Sequence, residues 1–407
     1  MSERESATVR MAINAVRTLL EQPESPARRH AVSQFIASMP RDAVRAVCLR
    51  VPEMLGGLSG VPLELRLTAN AELLRRALLR SLAERSAVDQ EIERRQTRMR
   101  TASDSKGVRA DREVRRLGAR YAQRARLGFR IENLSKLLEP RSVDSGSEFP
   151  RQYLRVDLGW QADRGVVEIL GDIAHADAVA VIVPGIRQNV DAHRITRAKA
   201  ERLLRACATV APEQRVAVIA WSGYATPNSW VRGAISTAAR AGAPQLAEDL
   251  ETITAVTTAP ITVIGHCYGA RLAMHAARHG APIANLIAVG HLGMDVPTTR
   301  ALSDQTQLRA YSLVARGDRV KLLSVLGRDP WVQVLRARRL DPGTEISGHL
   351  DYWRADSVSL INQALVVTGN PQRALYLDRR AAHHAIETPP HQTFESRILE
   401  RGSGPQL

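Results

Sequence analysis

Two hydrophobic periods divide the chain. Up to about residue 145, apolar positions recur three and four residues apart in segments rich in Ala, Leu, Arg and Glu, the spacing of amphipathic helices. Leu73, Leu74, Leu78, Leu79 and Leu82 stand in this way beside Arg75, Arg76, Arg80 and Arg85. The stretch 55–62, with Gly56, Gly57 and Gly60, breaks the period and predicts a turn. From about residue 150 short β-branched runs alternate with helical stretches, the signature of a parallel sheet built from strand–helix–strand units. Strands are predicted at 178–183, 216–221, 261–264, 286–289 and 308–315. The Ser- and Gly-bearing stretch 141–150 separates the two regimes. The expected organisation is a helical domain over 1–145, an α/β domain over 146–375 and a polar tail over 376–407 that carries Pro389 and Pro390.

Composition changes this picture little. A chain of 407 residues, 44% hydrophobic and 24% charged, can bury one large core and a smaller one. The formal charge of +15 invites a polyanionic partner. Yet only Lys106, Lys136, Lys199 and Lys321 are lysines, and the many arginines interleave with acids such as Glu91 and Glu93, as on a solvated helix face. No zinc-finger or RNP-type motif accompanies the charge, so nucleic acid is not the expected partner. Cys48, Cys207 and Cys267 cannot form a disulfide framework, which points to a reducing, cytoplasmic setting. Residues 1–28 lack a signal-peptide pattern, and no apolar run approaches the ~20 residues of a membrane span.

The chemistry concentrates in one turn. The predicted strand 261–264 runs into Gly265-His266-Cys267-Tyr268-Gly269, and a helical stretch follows at once. A nucleophilic residue at the apex of a strand–turn–helix, flanked by glycines, is the context of a nucleophile elbow. Cys267 would stand at a helix N-terminus, where the dipole favours a thiolate. In the chain order nucleophile, acid, base, Asp318 follows the predicted strand 308–315 and is the first choice of acid, with Asp295 as its rival one strand earlier. Of the later histidines, His349 lies in a glycine-marked loop inside the domain, whereas His383, His384 and His391 fall at or beyond its end. His349 is therefore the expected base. An oxyanion hole would draw on the backbone N–H groups of Tyr268 and Ile186, the latter in the loop after strand 178–183. Gly185, Trp221, His266 and His291 are candidates for the pocket wall, and Ser222 and the other two cysteines are expected to be structural.

The residues also form a combination of motifs: V-P-G at Val183, Pro184 and Gly185; A-W-S-G-Y from Ala220 to Tyr224; G-H-C-Y-G from Gly265 to Gly269; and G-H-L-D-Y from Gly348 to Tyr352. Upstream, Leu58, Gly60, Pro62, Arg66, Ala69 and Asn70 complete an L-x-G-x-P-x-x-x-R-x-x-A-N pattern. Together these resemble an actinobacterial α/β-hydrolase family catalogued as a domain of unknown function, whose elbow reads G-H-S-Y-G. The resemblance spans roughly residues 55–370 and implies the α/β-hydrolase fold, a mostly parallel sheet flanked by helices. Its departure here is Cys267 in place of the nucleophilic serine.

The resulting expectation is covalent acyl transfer by a Cys-His-Asp triad on an ester, thioester or lactone, ending in hydrolysis, transfer or cyclisation. The substrate would be a small-molecule or carrier-bound acyl group. With no metal-ligand cluster or dinucleotide fingerprint in the sequence, no cofactor is expected. The helical domain would pack on the catalytic one and shape access to Cys267. The competing class is a non-catalytic hydrolase-like protein whose helices recruit a partner.

Overall fold

The structure, a computed structural model, describes residues 3–23, 25–101, 108–142, 148–149, 151–158, 165–186, 193–224, 226, 237–291, 308–318 and 336–377. Asp295 and the expected tail lie outside these residues, apart from 376 and 377. The chain divides into two compact units, Met1–Val156 and Asp157–Leu407.

The first unit is helical: α1 (Glu3–Glu21), α2 (Pro26–Ser38), α3 (Arg41–Arg50), the single turn α4 (Pro52–Leu55), and two long helices, α5 (Leu63–Thr101) and α6 (Val108–Leu138). Val9 and Val16 of α1, Val32 and Ile36 of α2, and Val44, Val47 and Cys48 of α3 close one core with Leu55, Leu58 and Val61. Further along, α5 and α6 meet through Val88, Ile92 and Leu127. The predicted turn at 55–62 holds, and it is tied down by Asn70. The Asn70 amide donates to the carbonyls of Gly56 and Tyr153, both at 2.9 Å. A Cβ on Gly56 would sit 2.3 Å from Asn70 Oδ1, so Gly56 and the motif's Asn70 form a structural clamp. The predicted break at 141–150 carries a two-residue antiparallel ladder, β1 (Arg141–Ser142) with β2 (Glu148–Phe149), and β3 (Gln152–Val156) follows.

The second unit has an α/β-hydrolase fold. Its strands are β4 (Val166–Leu170), β5 (Ala178–Val183), β6 (Val216–Trp221), β7 (Ile261–His266), β8 (Asn285–Val289), β9 (Arg309–Leu313) and β10 (Arg338–Arg339). Within the unit they lie side by side in the order β10-β9-β8-β7-β5-β6-β4. Neighbours are parallel except β4, which runs antiparallel to β6. Strands β5, β7 and β8 are buried at every position, which is why they read as unbroken apolar runs rather than alternating ones. The helices are α7 (His193–Val210), α8 (Thr237–Thr254), α9 (Tyr268–Arg278) and α10 (Val358–Val367). Ala200, Leu203 and Cys207 of α7 and Leu360, Ala364 and Leu365 of α10 pack on Ala180, Ile182, Val218 and Ile264 of the sheet.

The five predicted strands are present, and β1, β2, β3, β4 and β10 are additions. β4 escapes a hydrophobic reading because its central Glu168 interrupts V-V-E-I-L. That carboxylate is buried and satisfied in three dimensions by His193 Nε2 at 3.0 Å. β10 is only two residues long and both are exposed, so it has no apolar pattern to detect.

Candidate active site

The turn between β7 and α9 is built by close approach. A Cβ on Gly265 would lie 2.4 Å from Ala270 Cα, and one on Gly269 would lie 2.3 Å from the Val183 carbonyl oxygen. Any side chain at either position would push the helix off the sheet. At the apex, Cys267 has φ 55° and ψ −116°, a conformation that L-residues rarely adopt. Its N–H donates to the Val289 carbonyl on β8 at 2.8 Å, which fixes the turn from the far side. A non-glycine residue held in so sparsely populated a region costs of order 1–3 kcal/mol and is sustained by its surroundings.

His349 comes to this apex from the loop after β10. Its Nδ1 donates to Asp318 Oδ2 at 2.9 Å, and the ring also forms a hydrogen bond with the Cys267 thiol. Burial alone would lower the His349 pKa, but the bonds to Asp318 and Cys267 outweigh it and push the pKa up to about 9. Asp318 is fully buried on its side-chain atoms and accepts a second bond at 2.7 Å from the Tyr352 hydroxyl, which itself accepts from the Ala315 N–H at 3.0 Å. The G-H-L-D-Y motif thus has a mechanical reading. Asp351 Oδ2 accepts from the Gly348 N–H at 2.8 Å and shapes the loop that carries His349, while Tyr352 holds Asp318.

On the opposite side of Cys267 lies the V-P-G loop. A Cβ on Gly185 would come within 2.9 Å of Cys267 Cβ, so only glycine lets this loop approach the apex. The Tyr224 hydroxyl reaches the carbonyl oxygens of Pro184 and Gly185, at 2.9 and 3.1 Å. In a trans peptide the N–H points away from its own carbonyl, so drawing the Gly185 C=O toward Tyr224 turns the Ile186 N–H away from Tyr224. Tyr268 opens α9, where backbone N–H groups project from the helix N-terminus.

Other expected site residues have different surroundings. Trp221 is buried, donates from Nε1 to Asp249 Oδ2 at 2.9 Å and stacks on Tyr224 with centroids 5.9 Å apart. His291 is buried with Nε2 3.0 Å from Ser312 Oγ. His266 is buried against His349, ring centroids 4.6 Å apart, and its Nε2 donates to the His349 carbonyl at 2.9 Å. Burial first, and nearby Lys199 second, hold its pKa well below the ordinary histidine range, so it is a neutral strut. Three neighbours were not singled out in the sequence: Tyr352, Lys199, and Gly290, where a Cβ would lie 2.9 Å from Asp318 Oδ2 and 3.2 Å from His349 Nδ1. Tyr352 stood inside a quoted motif. Gly290, ending a strand beside His291, gave the only other signal.

Residues 161–327, which include Cys267 and Asp318, match the model of a family described as Alpha/beta hydrolase. Two Mycobacterium tuberculosis relatives, uncharacterized protein Rv2079 of strain H37Rv and uncharacterized protein MT2140 of strain CDC 1551, are each 28% identical over 307 residues, covering 72% of this chain and 44% of the relative. The chain therefore spans less than half the length of these curated relatives. Among solved structures, the esterase domain of a Rhodothermus marinus protein is 11% identical, covering 58% of this chain and 97% of that one, at a TM-score of 0.32. A proline iminopeptidase-related protein of Thermus thermophilus is 13% identical, covering 50% and 93%, at a TM-score of 0.29. The strand order, the turn after β7 and the family match of residues 161–327 make the second unit an α/β-hydrolase fold, with Cys267 at the apex of the turn between β7 and α9.

Proposed function

We propose that the second unit is a cysteine-nucleophile acyl-transfer enzyme acting on an ester, thioester or lactone. The observation that carries this reading is Cys267 at φ 55° on the strand-to-helix apex, hydrogen-bonded to an imidazole whose other nitrogen is held by a buried carboxylate. With Nδ1–H on Asp318, the His349 Nε2 faces the sulfur and holds the proton given up by the thiol, a charge state that the raised pKa of the imidazole favours. The Cys267 sulfur then attacks the carbonyl carbon, and the Tyr268 and Ile186 N–H groups bind the developing oxyanion. Collapse returns the proton from His349 to the departing alcohol or thiol and leaves an acyl-thioenzyme. Water, an amine or a second alcohol, deprotonated by His349, releases the acyl group.

The test is intact mass after incubation with a panel of acyl esters and thioesters. A mass increase equal to one acyl group, absent when Cys267 is replaced, is the expected result. No adduct and no turnover across the panel would favour the non-catalytic binding protein. In the same scheme Tyr224 is a positioning residue for the oxyanion loop. Tyr224→Phe removes its two bonds to the loop and should lower kcat about tenfold with KM nearly unchanged, since the donor serves the transition state more than the ground state. The melting temperature should fall by only a few degrees, about the worth of one hydrogen bond. An unchanged kcat would remove Tyr224 from this role.

A further inference from the structure

Lys199, on the inward face of α7, is an anomaly. It is 7% exposed, and among the described residues no carboxylate pairs with its ammonium. Its two named contacts are neutral: Nζ lies 4.2 Å from the centroid of the Trp353 ring and 3.4 Å from His266 Nδ1. Because His266 donates from Nε2 to the His349 carbonyl, Nδ1 is the lone-pair nitrogen and accepts from the ammonium. Beyond His266 stands His349, ring centroids 4.6 Å apart, which is bonded to Asp318 and to Cys267, and Cys267 acts electrostatically on Lys199. Buried charges without partners are strongly disfavoured, so a cation kept here calls for an anion that forms during the reaction.

We infer that Lys199 is an electrostatic positioning residue for Cys267, a fixed buried cation that favours the thiolate over the thiol. The inference rests on Cys267 being the nucleophile. Charge accounting supports it. Asp318 contributes one negative charge to the buried cluster and Lys199 one positive, so proton transfer from Cys267 to His349 leaves the cluster neutral overall. Without Lys199 the same cluster carries a net negative charge in both states, and the thiolate forms against it. The other titratable groups around Cys267 do not substitute. Burial raises Tyr224, Tyr268 and Tyr352 above the ordinary phenol range, and His266 is held neutral. Among the described residues, the charged groups of this cluster near neutral pH are His349, Asp318 and Lys199.

Lys199 also costs stability. Burial lowers its pKa from the ordinary 10.5 to about 8. Between those values the unfolded chain binds a proton that the folded chain does not, so this residue's contribution to stability rises with pH across the window and is least favourable below it. Replacing the ammonium with an apolar group of similar length should therefore not destabilise the fold.

The experiment measures the pH dependence of Cys267 alkylation by iodoacetamide in the full chain. Burial pushes the Cys48 thiol up to about 11, partly offset by its backbone bond, and the Cys207 thiol up to about 12, so neither competes near neutral pH. Cys267→Ala supplies the blank. In Lys199→Met the alkylation midpoint should rise by about one pH unit, equivalent to roughly tenfold slower reaction at pH 7, with an unchanged or higher melting temperature. Lys199→Arg keeps a cation at this place on α7 and should leave the midpoint within a few tenths of a unit. An unmoved midpoint in Lys199→Met overturns the inference, as does a Lys199→Met chain that fails to fold, because the ammonium would then be structural. A midpoint displaced equally by Lys199→Arg overturns it too, because the charge is kept there and packing alone would be responsible. If wild-type Cys267 reacts no faster than an ordinary free cysteine, the nucleophile reading fails, and the Lys199 inference with it.

Discussion

Cys267→Ala should keep the fold and lose both the acyl adduct and turnover, by several orders of magnitude in kcat. Folding should survive because the tight contacts of the turn belong to Gly265 and Gly269, and alanine removes only a sulfur. Alanine at φ 55° is no more strained than the cysteine it replaces. The residual rate would come from oxyanion donors and substrate binding, which persist when a nucleophile is removed. Circular dichroism and melting temperature check the fold, and intact mass with single-turnover kinetics checks the chemistry. Undiminished turnover in this variant would take Cys267 out of the mechanism. Cys267→Ser separates two histories of the site. Oxygen needs stronger base assistance than sulfur, so a large loss indicates a site tuned to a thiolate, and retained activity indicates one that still suits serine.

Asp318→Asn is expected to lower kcat/KM about 10³- to 10⁴-fold with little change in KM, because the acid selects the His349 tautomer and stabilises the imidazolium. The structure sharpens this expectation. Asp318 Oδ2 accepts from both His349 Nδ1 and the Tyr352 hydroxyl, so an asparagine that keeps Oδ1 outward would set an NH₂ against two donors. Either the imidazole flips its tautomer or the amide turns and loses one partner. Asp295→Asn should change kcat/KM by less than about threefold. The reverse ranking would move the acid to the segment after β8. Steady-state kinetics of the two variants on one acyl substrate decides between them.

Much of the site was legible in the chain because its constraints are local. A turn with no room beside strand and helix demands glycine at Gly265 and Gly269, and Cys267, midway between them, is thereby marked as special. The strands β5, β6 and β7 announced themselves because burial on both faces leaves an unbroken apolar run. Asp318 and His349 were picked from chain order, and their side chains lie 2.9 Å apart. The pocket assignments were weaker. Nothing local distinguishes a histidine that lines a cavity from one that packs beneath another ring, and His266 lies 4.6 Å from His349 as a buried neutral strut.

Composition and periodicity by themselves determined the helical first region, the parallel sheet of the second and the identity of the apex residue, since each depends on side chains a few positions apart. Only the tertiary structure decided which distant residues meet there. Lys199 lies 67 residues before His266 and 68 before Cys267, and in the sequence it is one helical lysine among many arginines. Tyr352 and Gly290 likewise gain their significance from the packing of β8, β9 and the His349 loop against one another. The physical reason is the range of the forces involved. Backbone sterics and hydrophobic period act along the chain and leave a pattern in it, whereas the charge balance of a buried site depends on distances through space that no local pattern encodes.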